Sequence, residues 1–351
     1  MIKKAILGRT LEGGKVECYA CARRCRIPTG SHGFCFVRQN IGGELALVNY
    51  GILSAIQIDP IEKKPFNHFM PGTYVLGIGT SSCNWWCQFC QNHNISRVKE
   101  IDGGYMSPED IVRRAIECNV KGIAFTYNEP TIFIEYALDV ARVAHGKGLS
   151  TMFITNGYMT TEAVQEMRGL IDAVVVNFKG NGDEKFSSKF EAVASNEPIK
   201  EALLEMKKSG MHVEITDLII PQVGESLSAC DSLTRWVADN IGAYTPVHFT
   251  QFHPDYRMLD YPQTAYKTLK LHYDIARRNG LRYVYIGNVA GNPHENTYCH
   301  SCGAVAIKRN GVYLSAWNLD GKDRCKKCNS RIPISGYRET NISYGDITSV
   351  Y

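Results

Sequence analysis

Short apolar runs alternate with helical patterns between residues 74 and 288. The runs are rich in Val, Ile, Phe and Tyr and mostly lack strict alternation of apolar and polar positions, which is typical of parallel strands buried on both faces. They lie at residues 74–80, 122–129, 150–156, 172–179, 212–220, 247–252 and 282–288. The pattern therefore predicts a buried, largely parallel sheet.

The segments between these runs predict helices. Ser107 and Pro108 form a helix start, with a capping hydroxyl followed by proline in the first turn. Residues 197–208 and 264–278 place apolar side chains on one face and end close to glycines. Repeated βα units give a parallel sheet with right-handed crossovers, and six units with a seventh strand favour a barrel over an open sheet. We predict an α/β fold: a partial (β/α)6 TIM-type barrel whose ligands bind at the carboxyl ends of its strands.

The two ends of the chain do not follow this rhythm. Each contains its own group of four cysteines, which suggests small Cys-rich, metal-binding appendages on the barrel. The predicted division is an N-terminal metal-binding segment with four cysteines, the barrel core, a C-terminal domain resembling a zinc ribbon, and a tail without clear periodicity. These parts span residues 1–50, 51–295, 296–336 and 337–351.

Composition narrows the class of protein. Of the 351 residues, 44% are hydrophobic and 21% are charged, which excludes wholesale disorder. The net charge of +4 is too small for a dedicated nucleic-acid binder. No apolar run approaches the roughly 18 residues that a membrane span needs. We expect a cytoplasmic protein with neither membrane nor nucleic acid as a partner.

Cysteine carries most of the chemical signal. Thirteen cysteines are too few for a disulfide scaffold of this length, and short spacings in a reducing compartment indicate metal ligands. Cys118 and Cys230 stand alone in helical patterns and are expected to be small buried hydrophobes. The other eleven form three groups: Cys18, Cys21, Cys25 and Cys35; Cys83, Cys87 and Cys90; and Cys299, Cys302, Cys325 and Cys328.

The central group reads C-x3-C-x2-C directly after the first predicted strand. A cubane [4Fe–4S] cluster ordinarily takes four thiolates, so Cys83, Cys87 and Cys90 would leave one iron open for a small-molecule ligand. Residues 65–96 contain no Asp, Glu, Lys or Arg, so the surroundings of the cluster would carry no charge. The alternative is a structural zinc site with a distant fourth ligand such as His93.

The two outer groups each provide four ligands. Cys299, Cys302, Cys325 and Cys328 form paired C-x2-C knuckles 22 residues apart, which favours a zinc ribbon over a rubredoxin-like iron site. The N-terminal C-x2-C-x3-C-x9-C group lies in a basic segment, and its four ligands would close a metal site completely. Structural zinc and an auxiliary Fe–S cluster that relays electrons both remain open for it.

The central motif, with the aromatic Phe89 before its last cysteine, resembles the radical S-adenosylmethionine (SAM) superfamily. The resemblance continues at the ends of later strands. Asn128-Glu129 ends the second strand, Asn156 the third, Lys179 the fourth and His253 the sixth.

The resemblance implies an enzyme in which SAM chelates the open iron of a [4Fe–4S] cluster. Glu129 would accept a hydrogen bond from the SAM amino group, Lys179 and His253 would meet its carboxylate or ribose, and Asn156 would bind a ribose hydroxyl. An electron then breaks the sulfonium C–S bond, and the resulting 5′-deoxyadenosyl radical abstracts hydrogen from a substrate. Each residue also has a plainer role: Glu129 as a helix cap, Asn156 in a turn, Lys179 as a solvated strand end and His253 bonded to backbone.

Within the superfamily the chain resembles pyruvate formate-lyase activating enzymes. It is closer still to the radical SAM proteins of the AmmeMemoRadiSam system, which share residues 59–65 and 285–289 and both outer cysteine groups. Three positions depart from the activating-enzyme pattern, namely Ile154, Asn177 and Thr216. These departures weaken the case for glycyl-radical activation as the reaction.

The leading hypothesis is thus an oxidoreductase-type radical SAM enzyme that acts on a substrate such as a protein. The alternative substrates are a small molecule, a cofactor precursor or RNA. A one-electron donor such as ferredoxin or flavodoxin is the expected partner. A hypothesis of another class is a zinc-stabilised scaffold without catalytic activity.

Overall fold

The computed structural model of the protein describes residues 1–340. The strands of the N-terminal region are β1 (Lys3–Lys4), β2 (Gly8–Thr10), β3 (Val16–Cys18), β4 (Arg26–Ile27), β5 (Arg38–Ile41), β6 (Glu44–Leu47) and β7 (Ile52–Leu53). The strands that follow are β8 (Ala55–Pro60), β9 (Tyr74–Gly79), β10 (Gly104–Tyr105), β11 (Gly122–Phe125), β12 (Ser150–Thr155), β13 (Ala173–Lys179), β14 (His212–Ile219), β15 (Val247–Gln251), β16 (Val284–Gly287), β17 (Thr297–Tyr298), β18 (Val305–Asn310) and β19 (Tyr313–Trp317). The α-helices are α1 (His93–Ser96), α2 (Pro108–Glu117), α3 (Ile134–His145), α4 (Thr161–Met167), α5 (Glu184–Glu191), α6 (Glu197–Lys208), α7 (Leu227–Trp236) and α8 (Tyr266–Arg278).

An eight-stranded sheet forms the centre of the molecule, in the order β16-β15-β14-β13-β12-β11-β9-β8. Every neighbouring pair is parallel except β8 and β9, which are antiparallel. Each of the seven predicted runs contains one parallel strand, and within residues 1–340 no ladder joins β16 to β8. The predicted α/β class with an open, partial barrel is confirmed.

The second predicted run differs from the structure at its end. Strand β11 stops at Phe125 instead of continuing to residue 129. Tyr127 has a φ of 70°, a left-handed conformation outside the region of a regular strand. Glu129 then caps the 3-10 helix Pro130–Phe133. The polar residues predicted for the strand end therefore lie in a tight turn above the sheet.

The lower half of the barrel interior is filled by the connection between β8 and β9. Four apolar side chains of this connection pack on inward-facing residues of β9, β11, β12 and β13, and all four are almost completely buried: Ile61, Phe66, Phe69 and Met70. The space left open is therefore the upper half, toward the carboxyl ends of the parallel strands, where the turns carry the candidate residues.

Small antiparallel sheets occupy the two ends of the chain. Strands β1, β6 and β5 form one sheet, β2, β3 and β4 a second, and β17, β18 and β19 a third near the C-terminus. The proposed domain boundaries stay a prediction. The predicted tail, residues 337–351, is described only as far as residue 340. Within it, Glu339 donates its backbone N–H to the Pro71 carbonyl at 3.2 Å. Among the described residues no helix combines the length and the apolar character that crossing a membrane requires.

Candidate functional site

A cavity of about 1040 Å³ fills the upper half of the barrel. Its walls are side chains from the carboxyl ends of the parallel strands, the cysteine loop after β9, and the turn between β18 and β19. Eight of the residues singled out from the sequence line it: Cys83, Cys87, Phe89, Cys90, Asn128, Glu129, Asn156 and Lys179. The parallel topology brings together residues that are far apart in the chain.

The three central cysteines lie at the rim of this cavity, each partly buried. Burial raises the pKa of Cys83 to about 12, with the nearby Glu129 carboxylate as a lesser cause. A thiol whose pKa is raised in this way is protonated near neutral pH, and binding to a metal removes its proton. The loop that holds them contains no charged side chain, so three thiols facing an open cavity fit a cluster with one free coordination position.

The spacing of the thiols separates a cluster from a single ion. Among the described residues, only one group of three or more His, Cys, Asp or Glu has all its ligand atoms within 4.8 Å, and this group is the C-terminal quartet. His93, the alternative fourth ligand, instead stacks on Tyr256 with 4.6 Å between ring centroids. Its Nδ1 lies 3.2 Å from the Cys90 carbonyl oxygen. This geometry does not favour the zinc alternative for the central motif.

Glu129 is almost completely buried and combines two of the roles considered for it. One carboxylate oxygen accepts hydrogen bonds from the Thr131 N–H at 3.0 Å and from the Thr155 hydroxyl at 2.7 Å. The other oxygen accepts from the Asn156 N–H at 2.8 Å. Burial raises the pKa of this carboxyl, and these hydrogen bonds oppose the shift. Glu129 is thus both a helix cap and a carboxylate of the cavity wall.

The two asparagines connect the cavity wall to the cysteine loop. The Asn128 amide nitrogen donates to the Ser82 carbonyl at 2.8 Å, directly before the first cysteine. The Asn156 amide nitrogen donates to the side-chain oxygen of Asn84 at 2.8 Å, directly after that cysteine. The carbonyl oxygen of the Asn156 side chain also accepts from the Tyr158 N–H, as its turn role predicts. Both residues therefore position the loop.

Lys179 lies at the end of β13, with its ammonium group 3.3 Å from the Asn177 carbonyl oxygen. Two buried acids are close to it. Burial raises the pKa of Glu191 to about 8 and that of Asp217 to about 7, and the Lys179 ammonium opposes both shifts. Sequence reasoning did not identify either acid, because both lie in ordinary helix and strand patterns. Lys179 thus lies at a strand end with its side chain in the cavity wall.

Phe89 and His253 have different surroundings. Phe89 is buried and stacks on Phe186 with 5.8 Å between ring centroids, within an aromatic cluster at the cavity rim. His253 is exposed and does not line the cavity. Its Nδ1 lies 2.9 Å from the carbonyl oxygen of Pro254, which is the plainer role considered for it.

Charged residues lie at the inner end of the cavity. The sequence favours an ordered connector for residues 59–68, with a border of the substrate mouth as the alternative, and it assigns Arg309 to no site. Glu62 and Lys64 come from the connection after β8, and Arg309 comes from β18. Lys64 binds Asp59 at 2.7 Å, and Arg309 lies 3.6 Å from Glu62. Burial raises the pKa of Glu62 to about 7 despite the nearby guanidinium. Residues 59–65, which the chain shares with the AmmeMemoRadiSam proteins, were the sequence signal for this part of the cavity. Their contact with the C-terminal region depends on tertiary structure and could not be read from that signal.

The departures from the activating-enzyme pattern also lie in the cavity wall. Ile154, Asn177 and Thr216 all line it, and the Thr216 hydroxyl donates to the side-chain oxygen of Asn177. A neutral hydrogen-bonded pair thus occupies the middle of the wall. The surface that a substrate would contact therefore differs from that pattern.

The C-terminal quartet has the geometry of a single-ion site. The sulfur atoms of Cys299 and Cys328 lie 3.5 Å apart, and those of Cys302 and Cys325 lie 3.8 Å apart. Four thiolates at about 2.3 Å from a tetrahedral zinc would be separated by about 3.8 Å. The N-terminal quartet lines a second, smaller cavity beside the cysteine loop.

Comparisons with known proteins agree with this geometry. Residues 78–237 match the family model of the radical SAM superfamily. An uncharacterized protein of Methanocaldococcus jannaschii is 41% identical over 95% of this chain and 99% of its own length. A putative glycyl-radical enzyme activating enzyme of the same organism is 29% identical over 40% of this chain and 59% of its own length.

A solved structure shares the fold. It is a radical SAM methyltransferase from Sphaerobacter thermophilus, similar with a TM-score of 0.50 over 65% of this chain and 71% of that one, at 15% identity. The family model carries the assignment, and the solved structure shows that the fold is shared. The chain belongs to the radical SAM superfamily.

Proposed function

We propose that this chain is an enzyme that cleaves SAM reductively and uses the resulting radical to abstract hydrogen from a small polar substrate. Membership of the superfamily implies SAM and a [4Fe–4S] cluster, which together supply the 5′-deoxyadenosyl radical. The observation that carries the proposal is one cavity lined both by the three-cysteine loop and by Glu129, Asn156 and Lys179.

The residues of the chain bind and orient the cofactors in this proposal. Cys83, Cys87 and Cys90 hold the cluster. The Glu129 carboxylate would accept a hydrogen bond from the SAM ammonium, and such a charge-assisted hydrogen bond is stronger than a neutral one. Lys179 supplies the positive charge for the SAM carboxylate. The buried aromatic cluster around Phe89 keeps water away from the rim.

The walls of the cavity support a small substrate over a protein loop. The open side of the barrel, between β16 and β8, is occupied by the connection after β8 and by β18. These two segments are bonded to each other, with the Arg309 guanidinium donating to the Asn67 carbonyl at 2.9 Å. Small-molecule pockets span roughly 300–1,000 Å³, so the cavity has room for SAM and a second small molecule. Glu62, Lys64 and Arg309 make its inner end polar.

Zinc at the C-terminal quartet completes the proposal. Its four sulfur atoms lie within 4.8 Å of one another, as tetrahedral ligation needs. Hydrogen bonds from the Ser330 hydroxyl and backbone lower the pKa of the exposed Cys328 to about 6, which favours a thiolate there. We assign the site a structural role, in which the metal stabilises the hairpin that closes the cavity.

The test is anaerobic. The protein is reconstituted with iron and sulfide, reduced with dithionite and mixed with SAM, and 5′-deoxyadenosine is measured beside the Cys87→Ala variant. We expect deoxyadenosine from the wild type alone. If cluster-loaded wild type forms none with any low-potential reductant, the proposed catalysis is wrong.

The substrate class has its own test. Cell extract is separated by ultrafiltration into small-molecule and protein fractions, and each fraction is added to the assay. We expect the small-molecule fraction to increase the rate of deoxyadenosine formation. An increase with the protein fraction alone would support glycyl-radical-type activation instead.

A further inference from the structure

The N-terminal cysteines surround a cavity of their own, next to the catalytic loop. Cys18 and Cys35 are buried, whereas Cys21 and Cys25 are partly exposed. The same small cavity is lined by Arg38 and by Asn84, the residue that follows the first catalytic cysteine. Four thiols thus face a space that adjoins the loop of the proposed catalytic cluster.

The sulfur positions differ from those of the C-terminal quartet. In the described part of the chain, no three of the N-terminal cysteines gather their sulfur atoms within 4.8 Å of one another, as the C-terminal ones do. A tetrahedral zinc would require separations of about 3.8 Å, because each Zn–S bond is about 2.3 Å. In a [4Fe–4S] cluster each thiolate binds a different iron at a corner of the cube, so the sulfurs spread further apart. The wider arrangement fits a cluster.

Two buried donors in the cavity wall have no hydrogen-bond partner among the described residues. They are Nη1 of Arg38 and Nδ2 of Asn84, whose side chains are 2% and 0% exposed. The other Arg38 nitrogens are engaged, with Nη2 bonded to Glu135 at 2.6 Å and Nε to the Ile132 carbonyl at 3.2 Å. A buried donor without an acceptor destabilises the fold, because it has lost its hydrogen bonds to water. The sulfide and thiolate sulfurs of a cluster are acceptors that would satisfy both donors.

A short bonded path joins the two cysteine groups. Arg23, two residues after Cys21, donates from Nε to the Asn84 carbonyl at 2.5 Å, and Asn84 is bonded covalently to Cys83. The Asn84 side chain also accepts from Asn156 in the main cavity. An electron at the N-terminal group is therefore separated from the catalytic cysteines by few bonds.

We propose that Cys18, Cys21, Cys25 and Cys35 bind a second [4Fe–4S] cluster, which passes single electrons to the catalytic one. A reduced flavin or iron–sulfur protein loses one electron to this cluster, and the electron continues to the SAM sulfonium. There the C–S bond breaks, giving methionine and the 5′-deoxyadenosyl radical without any proton transfer. The presence of the cluster is independent of the proposed function, whereas its relay role rests on it.

The first experiment counts metals in the full chain. A variant combining Cys83→Ala, Cys87→Ala and Cys90→Ala is reconstituted, and its iron, acid-labile sulfide and zinc are measured. We expect about four irons and four sulfides to remain, with a reduced-cluster signal in electron paramagnetic resonance after dithionite. Zinc in place of iron, or absence of labile sulfide, would overturn the proposal.

Two controls keep this count decisive. Cys118→Ser removes a cysteine outside the three groups and should leave all metals unchanged. If the triple variant does not fold, wild-type protein decides the question, because two clusters require about eight irons and one cluster only about four.

The second experiment tests the relay. A double variant, Cys21→Ser with Cys25→Ser, is compared with wild type using either dithionite or reduced flavodoxin as electron source. We expect the variant to form deoxyadenosine with dithionite, which is small enough to enter the main cavity, and to lose this activity with flavodoxin. If the double variant forms deoxyadenosine with both reductants, or with neither, the relay role is contradicted. Failure of the wild type with both would instead refute the proposed function, and the metal count would still stand.

Discussion

The central cysteine triplet and the C-terminal quartet have similarly short spacings but opposite surroundings. The quartet brings four sulfurs within 4.8 Å beside a hairpin and leaves no coordination position open. The triplet holds three thiols at the rim of a cavity of about 1040 Å³. The spacing of cysteines along the chain therefore does not distinguish the two groups, whereas the number of ligands, the separation of the sulfur atoms in space and the adjoining cavity do.

The largest effect is expected from single cysteine substitutions in the central triplet and in the C-terminal quartet. Cys90→Ala should abolish deoxyadenosine formation and remove the catalytic irons while zinc stays bound, because each centre has its own ligands. Cys328→Ala should instead lose zinc and retain the catalytic irons. Metal analysis and the deoxyadenosine assay on both variants check this prediction. Loss of both metals in either variant would show that the centres are not independent.

Most of the framework of the barrel could be predicted from sequence, because buried parallel strands are continuous apolar runs. The resemblance to the radical SAM superfamily identified the polar residues of the cavity, which follow the C-terminal ends of these runs, and parallel strands present those ends at one edge. Strand β8 was missed. Its sequence, AIQIDP, is short and lies outside the repeated βα pattern, and only its pairing with β9 makes it part of the sheet.

The inner end of the cavity could not be predicted, because its contacts join distant parts of the chain. Glu62 and Arg309 belong to different predicted regions, and neither has a local pattern that indicates a partner. His253 illustrates the opposite difficulty. It lies at the predicted strand end, yet its ring is exposed, does not line the cavity and lies against the Pro254 carbonyl oxygen. Local pattern gives the strand end, whereas the direction of a side chain depends on the backbone that follows.

The second prediction breaks the link between the hairpin and the barrel. Arg309→Met removes a buried guanidinium that contacts Glu62, Asn67 and Thr297. Removing one partner of a buried ion pair typically costs about 3–5 kcal/mol. We expect the free energy of unfolding to fall by about this amount at pH 8, where Glu62 is ionised. Denaturant titration measures it, with Arg278→Met, at an exposed position, as the matched control. A change no larger than that of the control would mean that the contact does not hold the hairpin.

The third prediction concerns pH at the same pair. The pKa of Glu62 is raised to about 7 from 4.5, mainly by burial, so the folded chain keeps a proton that the unfolded chain has lost in this interval. Stability should therefore fall as pH rises from about 5 to about 7, by up to about 3 kcal/mol. Glu62→Gln has no carboxyl to ionise and lacks this loss of stability. The unfolding free energy of the variant minus that of the wild type should therefore increase as pH rises from about 5 to about 7. Parallel denaturant titrations at several pH values check it; a constant difference between the two proteins would contradict it.

The last prediction distinguishes the two roles of Glu129 at the open centre. Glu129→Gln removes the charge facing the SAM ammonium, and a hydrogen bond to a charged group is worth about 1.5–3 kcal/mol, or roughly 10–100-fold in affinity. Thr131→Val instead removes a capping partner, the hydroxyl 2.5 Å from the carboxylate, and keeps the charge. Calorimetry with SAM on cluster-loaded protein should show weaker binding for Glu129→Gln alone, while thermal unfolding should show a lower Tm for both variants. Equal SAM affinity in the two variants would mean that Glu129 only caps the helix, and the SAM ammonium would then need another partner in the cavity wall.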